Sequence, residues 1–153
     1  MENSDQVGEL AERRRALLED FDHPSDGDIV AWQRRLAAEH LAAERAQRAG
    51  MNSADQKIHR ERLRLIGDNL AWMLLPRHTL RNLAGNLREP KPDLLGQVKS
   101  MEIVWEAALR LQESGFVPIL ADLTNLIRIG DIAAWRPEQT LVVECKSQPR
   151  IVK

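Results

Sequence analysis

Several features that would point to a function or a cellular location are missing from this chain. It has one cysteine in 153 residues, which excludes an internal disulfide bond. No apolar run approaches the roughly 20 residues that a membrane helix needs, and no signal peptide opens the chain. The 22 basic and 23 acidic residues nearly cancel, so charge alone does not indicate a nucleic-acid-binding protein. We therefore expect a protein of the reducing cytoplasm, with no membrane partner, whose binding depends on local patches.

Common site motifs are missing too. The chain has no glycine-rich phosphate loop and no nucleophile elbow. Its four histidines show no paired spacing of the kind that holds a metal, and we expect surface or interface positions for all of them: His23, His40, His59 and His78.

The most informative stretch of the sequence is a predicted β-hairpin near the C-terminus. Residues 127–135 and 140–147 are short runs rich in β-branched or aromatic side chains, and the Arg-Pro-Glu-Gln between them is typical of a turn. A tip at Pro137 and Glu138 puts Asp131 directly opposite Glu144. Because side chains alternate along a strand, Asp131, Glu144 and Lys146 are predicted to share one face.

Two carboxylates on that face indicate a cation. They repel each other in an apolar environment unless a positive ion lies between them. Hard divalent ions such as Mg²⁺ favour oxygen ligands and keep several of their waters. The pairing of Asp131 with Glu144 therefore predicts a site for Mg²⁺ or Mn²⁺.

An aspartate followed on the next strand by Glu144-Cys145-Lys146 resembles the active-site motif of the PD-(D/E)XK nucleases, the restriction-endonuclease-like superfamily. The resemblance covers about a third of the chain and implies a helix followed by three strands. Residues 95–113 are predicted to be that helix, with Gly115 ending it, and 116–120 the first strand. The expected fold class is α+β: an N-terminal helical region, then a helix and a three-stranded antiparallel or mixed sheet.

The resemblance also implies roles for the residues of the hairpin. Asp131 and Glu144 would hold the metal, and Cys145 would add its backbone carbonyl while its side chain packs on the opposite face. Lys146 would position the attacking water or stabilise the transition state. The implied activity is hydrolysis of DNA phosphodiester bonds by a metal-dependent endonuclease or exonuclease, with Asp131, Glu144 and Lys146 as catalytic residues.

A carboxylate from the leading helix often joins the metal site in this family. Glu102 and Glu106 lie one helical turn apart and could supply it. The same two residues also belong to a polar stripe in which Glu106 and Arg110 form an ordinary i,i+4 pair. A purely solvated face is thus an equally good interpretation.

The C-terminal end departs from the family pattern. Only seven residues follow Lys146, whereas the family core continues with another helix and strand, and no helper Gln or Glu follows the lysine. The third strand would then lie at an edge of the sheet. Such a chain would be a fragment, would be completed by a second copy or a protein partner, or would use its own N-terminal helices as cover.

Residues 1–90 are predicted to be a helical interaction or targeting region, and 91–153 the nuclease-like core, with the boundary near Pro90. Asp28 is expected to cap a helix that ends at Gly50, and Ser53 another that ends before Pro76. This third helix has its apolar positions at Ile58, Leu65, Ile66 and Trp72–Met73, which predict one mostly buried face.

DNA is the expected partner. The candidate contacts are basic side chains on the third helix and after it, although interleaved acidic residues also fit a solvated face: Lys57, His59, Arg60, Arg62 and Arg64, then Arg77, Arg81 and Arg88. Two other functions stay open. One is a catalytically inactive nuclease-like fold that acts as a binding or assembly module through its N-terminal helices. The other is a helical regulator to which the hairpin is only an appendage.

Overall fold

The computed structural model of the chain describes residues 2–22, 28–84 and 93–145. Within them it contains five α-helices and three strands, which confirms the α+β class. In chain order these are α1 (Glu2–Asp22), α2 (Ile29–Arg48), α3 (Ala54–Leu74), α4 (Arg77–Leu83), α5 (Val98–Glu113), β1 (Val117–Leu120), β2 (Ile132–Arg136) and β3 (Gln139–Val143). Short 3-10 turns, Leu95–Gln97 and Ala121–Leu123, precede α5 and follow β1.

The helix ends follow from local chemistry. The Ser53 hydroxyl accepts a hydrogen bond from the Gln56 N–H, as expected of an N-cap. Asp28 is at the N-cap of α2, but its side chain does not form the capping bond. Gly50 and Gly115 follow α2 and α5 with φ of 89° and 84°, a left-handed conformation that glycine adopts without strain.

The three strands form one antiparallel sheet in the order β1-β2-β3. In the hairpin, Ile132 pairs with Val143 and Arg136 with Gln139, so the turn is centred on Pro137 and Glu138 as the sequence predicts. Glu138 has a positive φ of 65°, which closes this two-residue turn. Within the described residues β3 pairs only with β2 and lies at an edge of the sheet.

The helical part and the sheet share one hydrophobic core. Buried side chains run without a break from α1 to β2; among them are Leu17, Leu36, Leu70, Trp105, Ile119 and Ile132. Helix α2 packs against β1 as well as against α1, α3 and α5. The N-terminal helices thus pack against the β1 side of the sheet, whereas the edge at β3, for which the sequence offered them as cover, pairs only with β2. The predicted boundary near Pro90 lies outside the described residues.

Two buried carboxylates of the N-terminal helices accept hydrogen bonds from backbone N–H groups in the second half of the chain. Glu44 of α2 accepts hydrogen bonds from the Leu94 and Leu95 N–H groups, each at 2.9 Å. Asp68 of α3 accepts from the Asn125 N–H at 2.6 Å and from the Leu126 N–H at 3.1 Å. A carboxylate that receives two backbone donors satisfies groups that burial would otherwise leave unpaired.

Gln33 of α2 completes the outer edge of β1. Its Nε2 donates to the Pro118 carbonyl and its Oε1 accepts from the Leu120 N–H, both at 2.8 Å. The carboxamide thus makes the two hydrogen bonds that a residue of a neighbouring strand would make. Gln33 is fully buried, so these bonds satisfy edge groups that water cannot reach.

We expect Gln33→Leu to lower the free energy of unfolding by about 2–4 kcal/mol, because the substitution leaves two buried backbone groups without partners. Urea unfolding measures the change. Gln47→Leu, at an exposed position in the last turn of the same helix, is the matched control and should stay within about 0.5 kcal/mol of the wild type. A Gln33→Leu protein as stable as the wild type would contradict the role given to this side chain.

The buried face predicted for α3 is largely wrong. Leu65, Trp72 and Met73 are 55%, 52% and 67% exposed, and Ile58 is exposed too, whereas Ile66 is buried. The buried side of α3 instead carries Leu63, Ile66 and Leu70 together with polar residues. Gly67 lies on this side and lets α3 approach the turn after β1, since a Cβ there would meet the Leu123 carbonyl oxygen at 1.8 Å.

Candidate active site

A pocket of about 140 Å³ opens where α5 passes the end of β1 and the start of β2. The first turns of α5 form one wall of this pocket, and the sheet forms the other. It is lined by Gln97, Ser100, Met101, Val104, Leu120, Asp122, Asp131 and Cys145. Two of these eight side chains are carboxylates, and both come from the segments that join β1 to β2.

Asp131 is held at three points. Its backbone N–H donates to the Val143 carbonyl at 2.8 Å, and its carbonyl accepts from the Ala121 N–H at 2.9 Å. Its side-chain Oδ2 accepts from the Cys145 N–H at 2.6 Å. The carboxylate therefore ties the end of β3 to the start of β2 and has a fixed position at the pocket.

Cys145 shares the pocket with Asp131. Its half-buried side chain packs against the core. The sequence argument put this side chain on the face opposite Asp131, whereas both side chains line the same pocket. Burial raises the pKa of the thiol, and the neighbouring Asp131 carboxylate raises it further. The thiol is therefore protonated at neutral pH, which makes it a poor nucleophile and a poor ligand for a metal ion.

Glu144 lies elsewhere. It is exposed and does not line the pocket, whereas the inward positions of this edge strand are Leu141, Val143 and Cys145. The sequence argument grouped Asp131 with Glu144 by strand alternation, but regular pleating begins only at Ile132. Asp131 follows Gly130, whose φ of 72° turns the chain sharply, so its side chain reaches the pocket that Cys145 lines. Lys146 lies outside the described residues.

The two glutamates of α5 do not face the pocket. Glu102 and Glu106 are both exposed, and Glu106 forms an ion pair with Arg110 at 2.7 Å. The side of α5 that does face it carries Ser100, Met101 and Val104. The solvated face is thus the interpretation that matches the positions of these two side chains.

Asp122 is the pocket carboxylate that sequence reasoning missed. It lies in the 3-10 turn directly after β1. Because β1 and β2 are antiparallel, the end of β1 meets the start of β2, where Asp131 lies. An acidic residue just after the predicted first strand could have indicated this neighbour. The Arg64 guanidinium supports the turn by donating to the Asp122 carbonyl at 2.6 Å.

Two carboxylates are a small donor set for a metal ion. In the described parts of the chain, no three His, Cys, Asp or Glu side chains come together in a way that could hold a metal. Mg²⁺ is commonly bound through only one or two carboxylates while it keeps several waters. Asp122 and Asp131 fit that weaker mode of binding and do not fit a cage made by the protein alone.

The basic residues of α3 do not form one surface. His59 is buried, and its Nδ1 accepts from the Arg14 guanidinium at 2.7 Å. Arg64 points inward to the Asp122 carbonyl, and burial lowers its pKa. Lys57 and Arg62 are exposed. The five predicted contacts on α3 therefore divide between the interior and the surface, because helical spacing carries them around the helix.

Comparison of the chain with known protein families, curated proteins and solved structures gives no significant match. In the part of the chain that the structure describes, no helix has both the length and the apolar character needed to cross a membrane.

Proposed function

We propose that this chain carries the metal-binding half of a DNA phosphodiester hydrolase of the restriction-endonuclease-like, PD-(D/E)XK type. The observation that carries the proposal is the pair of carboxylates, Asp122 and Asp131, that line one pocket where the end of β1 meets the start of β2. In the sequence, Glu144-Cys145-Lys146 comes directly after β3. The sequential order of α5, β1, β2 and β3 is the order that the resemblance implies.

In this proposal Asp131 is the principal metal ligand. Two backbone hydrogen bonds fix the Asp131 main chain and one from the Cys145 N–H orients its carboxylate before any ion arrives, and a preorganised ligand binds with little loss of conformational freedom. Asp122 is the second carboxylate, in the position for which the sequence offered Glu102 or Glu106. Glu144 and the Cys145 carbonyl complete the proposed ligand set on the basis of the sequence pattern.

The chemistry requires a divalent ion and a nearby positive charge. When bound, Mg²⁺ or Mn²⁺ would lower the pKa of a coordinated water and neutralise charge that builds up on the phosphate. Lys146 would hold the attacking water or stabilise the transition state. The ligand that the pocket accommodates is then the phosphate of a DNA strand that lies across the end of the sheet.

Isosteric substitutions test the proposal. Asp131→Asn keeps an oxygen that can accept from the Cys145 N–H but removes the charge. We expect it to lower Mg²⁺- or Mn²⁺-dependent cleavage of plasmid, linear and branched DNA at least about 100-fold, because several kcal/mol of charge stabilisation are lost. Asp122→Asn and Lys146→Ala should also reduce cleavage strongly.

A matched control and a second readout accompany this assay. Glu113→Gln removes an exposed carboxylate of α5 and should leave cleavage unchanged. Mg²⁺ should raise the melting temperature of the wild type but not of Asp131→Asn. Cleavage that survives Asp131→Asn in a folded protein would overturn the proposed site.

A second candidate function is the inactive nuclease-like fold that works as a binding or assembly module. The outward position of Glu102 and Glu106 favours it, as does the exposed apolar face of α3 formed by Ile58, Leu65 and Trp72. Absence of cleavage by the wild type, together with no effect of Mg²⁺ on its melting temperature, would support this function over hydrolysis.

A further inference from the structure

The outward side of α3 carries a row of apolar side chains. Ile58, Leu65 and Trp72 follow one another at intervals of seven residues, and Met73 comes directly after the last of them. Ile58 is 43% exposed, and the other three are more than half exposed. We call these four side chains the apolar row. Because a seven-residue step returns to nearly the same side of a helix, the row runs along α3 for about 21 Å.

The described part of the chain does not cover the apolar row. Helix α3 contacts α1, α2, α4 and the turn after β1, and all four side chains remain in water. Together they expose roughly 400 Å² of mainly apolar surface, a patch size that commonly marks a site of interaction. Tryptophan and methionine are enriched in the centres of protein interfaces, and tryptophan is prominent among the residues that carry binding energy. The row therefore has the character of a protein-binding surface.

The extent of the row suits a second copy of the chain. Two such rows packed on each other would remove about 800 Å² of mainly apolar surface from water, and flanking polar residues would add to it. The total reaches the roughly 1,000 Å² that a specific interface needs, at the low end of the range. An interface of this size is consistent with a dimer whose dissociation constant is in the micromolar range.

We propose that the chain forms a dimer in which the α3 helices of two copies pack antiparallel through the apolar row. A dimer with two-fold symmetry uses the same surface on both copies, so each contact occurs twice. With Leu65 at the symmetry axis, the equal intervals place Ile58 of each copy against Trp72 of the other. A large side chain then lies opposite a smaller one at both ends, an arrangement that favours close packing.

The charges of α3 favour the antiparallel arrangement over the parallel one. Its exposed charged side chains, Lys57, Glu61 and Arg62, all precede Leu65. After Leu65 the exposed positions of this fully described helix carry Asn69 and the last two members of the row. Parallel helices would place each charge opposite its own copy, which is unfavourable. Antiparallel helices place the charged half opposite the uncharged half and also oppose the helix dipoles.

Sedimentation velocity of the full chain, from about 1 µM to about 100 µM, is the first measurement. The wild type should pass from monomer to dimer over this range. Leu65→Arg puts two like charges at the symmetry axis and should raise the dissociation constant at least about 100-fold. Its far-UV circular dichroism spectrum should match that of the wild type, because position 65 is exposed in the monomer. Ile103→Arg, at an exposed apolar position of α5, should dimerise as the wild type does.

Cysteine cross-linking tests the orientation of the two helices without relying on a disruptive variant. The background is Cys145→Ser, which removes the one native cysteine. On oxidation Leu65→Cys should form a disulfide with its own copy, since the two side chains meet at the axis. Ile58→Cys alone should not. A mixture of Ile58→Cys and Trp72→Cys chains should cross-link, because these positions face each other only in the antiparallel dimer.

The dimer does not depend on the proposed hydrolysis, since the apolar row does not line the pocket at Asp131 and the tests measure association alone. A wild type that is monomeric at every concentration would overturn the proposal. So would a dimer that Leu65→Arg leaves intact, or one that Ile103→Arg weakens as much. Leu65→Cys that does not cross-link with itself, or Ile58→Cys that does so equally well, would exclude the antiparallel pairing.

Discussion

Acidification from pH 7 to pH 5 is expected to remove about 4 kcal/mol from the free energy of unfolding, because two buried histidines stay neutral in the folded chain. Burial lowers the pKa of His40 to about 3, with Arg64 and His59 adding to the effect. Burial likewise lowers the pKa of His59 to about 4, helped by Arg14 and other arginines. The Arg14 guanidinium donates to His59 Nδ1, so a proton on that nitrogen would cost a hydrogen bond and bring two positive charges together.

The loss of stability on acidification follows from the number of protons that the folded and the unfolded chain bind. Above pH 6.5 both histidines are neutral whether the chain is folded or unfolded, so they add no pH dependence. Below pH 6.5 the unfolded chain takes up two protons that the folded chain excludes. Stability therefore falls as the pH falls, until the folded-state groups titrate near pH 4 and pH 3. Ordinary carboxyl groups titrate mostly below pH 5 and contribute little to this window.

Urea unfolding at pH 7 and pH 5 measures the difference. His40→Gln should reduce the change between the two pH values to about half, whatever it does to the stability at pH 7. His78→Gln removes an exposed histidine and should preserve the full change. Equal stability of the wild type at pH 7 and pH 5 would mean that these rings accept protons in the folded state.

Gly67→Ala is expected to destabilise the chain by about 3 kcal/mol or more, the reverse of what helix propensity predicts. Alanine is normally about 1 kcal/mol better than glycine within a helix. At position 67, however, the new Cβ would lie 1.8 Å from the Leu123 carbonyl oxygen and 2.7 Å from the Leu123 carbonyl carbon. Relief of that overlap requires α3 to move away from the turn after β1. The hydrogen bonds from Asn125 and Leu126 to Asp68 would then weaken as well.

Gly8→Ala provides the opposite case in the same chain. Gly8 lies within α1, and a Cβ there would meet nothing within 4 Å. We expect this substitution to stabilise the protein by about 0.5–1 kcal/mol. Urea unfolding of the two variants should therefore give shifts of opposite sign, and a Gly67→Ala protein stabilised like Gly8→Ala would contradict the close approach of α3 to the turn.

The local elements of this fold could be predicted from the sequence because short-range chemistry determines them. A turn at Pro137 and Glu138 fixes the register of the hairpin, and the observed pairing of Ile132 with Val143 agrees with it. Ser53 and Gly50 likewise mark helix ends through interactions within a few residues. Such features need no knowledge of what packs against them.

The buried side of α3 could not be predicted because it depends on contacts between residues far apart in the chain. An apolar stripe at Ile58, Leu65 and Trp72 looked like a core face, yet these side chains are exposed. His59, which was expected at the surface or an interface, is buried and accepts from Arg14. Asp68 is buried on the same side of α3, where the Asn125 and Leu126 N–H groups satisfy its carboxylate. Hydrophobic pattern alone does not record such polar partners.

The candidate site was predicted in part. Asp131 lies at a pocket and makes a hydrogen bond to the segment that follows β3, where the Glu-Cys-Lys triplet begins. The side chains found near Asp131 differ from those that the sequence predicts. Strand alternation applies only within a regular strand, and Asp131 precedes β2. Asp122 was missed because its proximity to Asp131 arises from the antiparallel pairing of β1 with β2.

The carboxamide of Gln33 determines which edge of the sheet can accept a further strand. One margin of the sheet is closed, since a single side chain occupies the hydrogen bonds through which another strand could attach to Pro118 and Leu120. Recruitment of a further strand, whether from a longer chain, a second copy or another protein, is consequently restricted to the opposite margin at β3. Any such assembly would form beside β3, directly before Glu144 and Cys145, so that extension of the sheet would take place next to the proposed site.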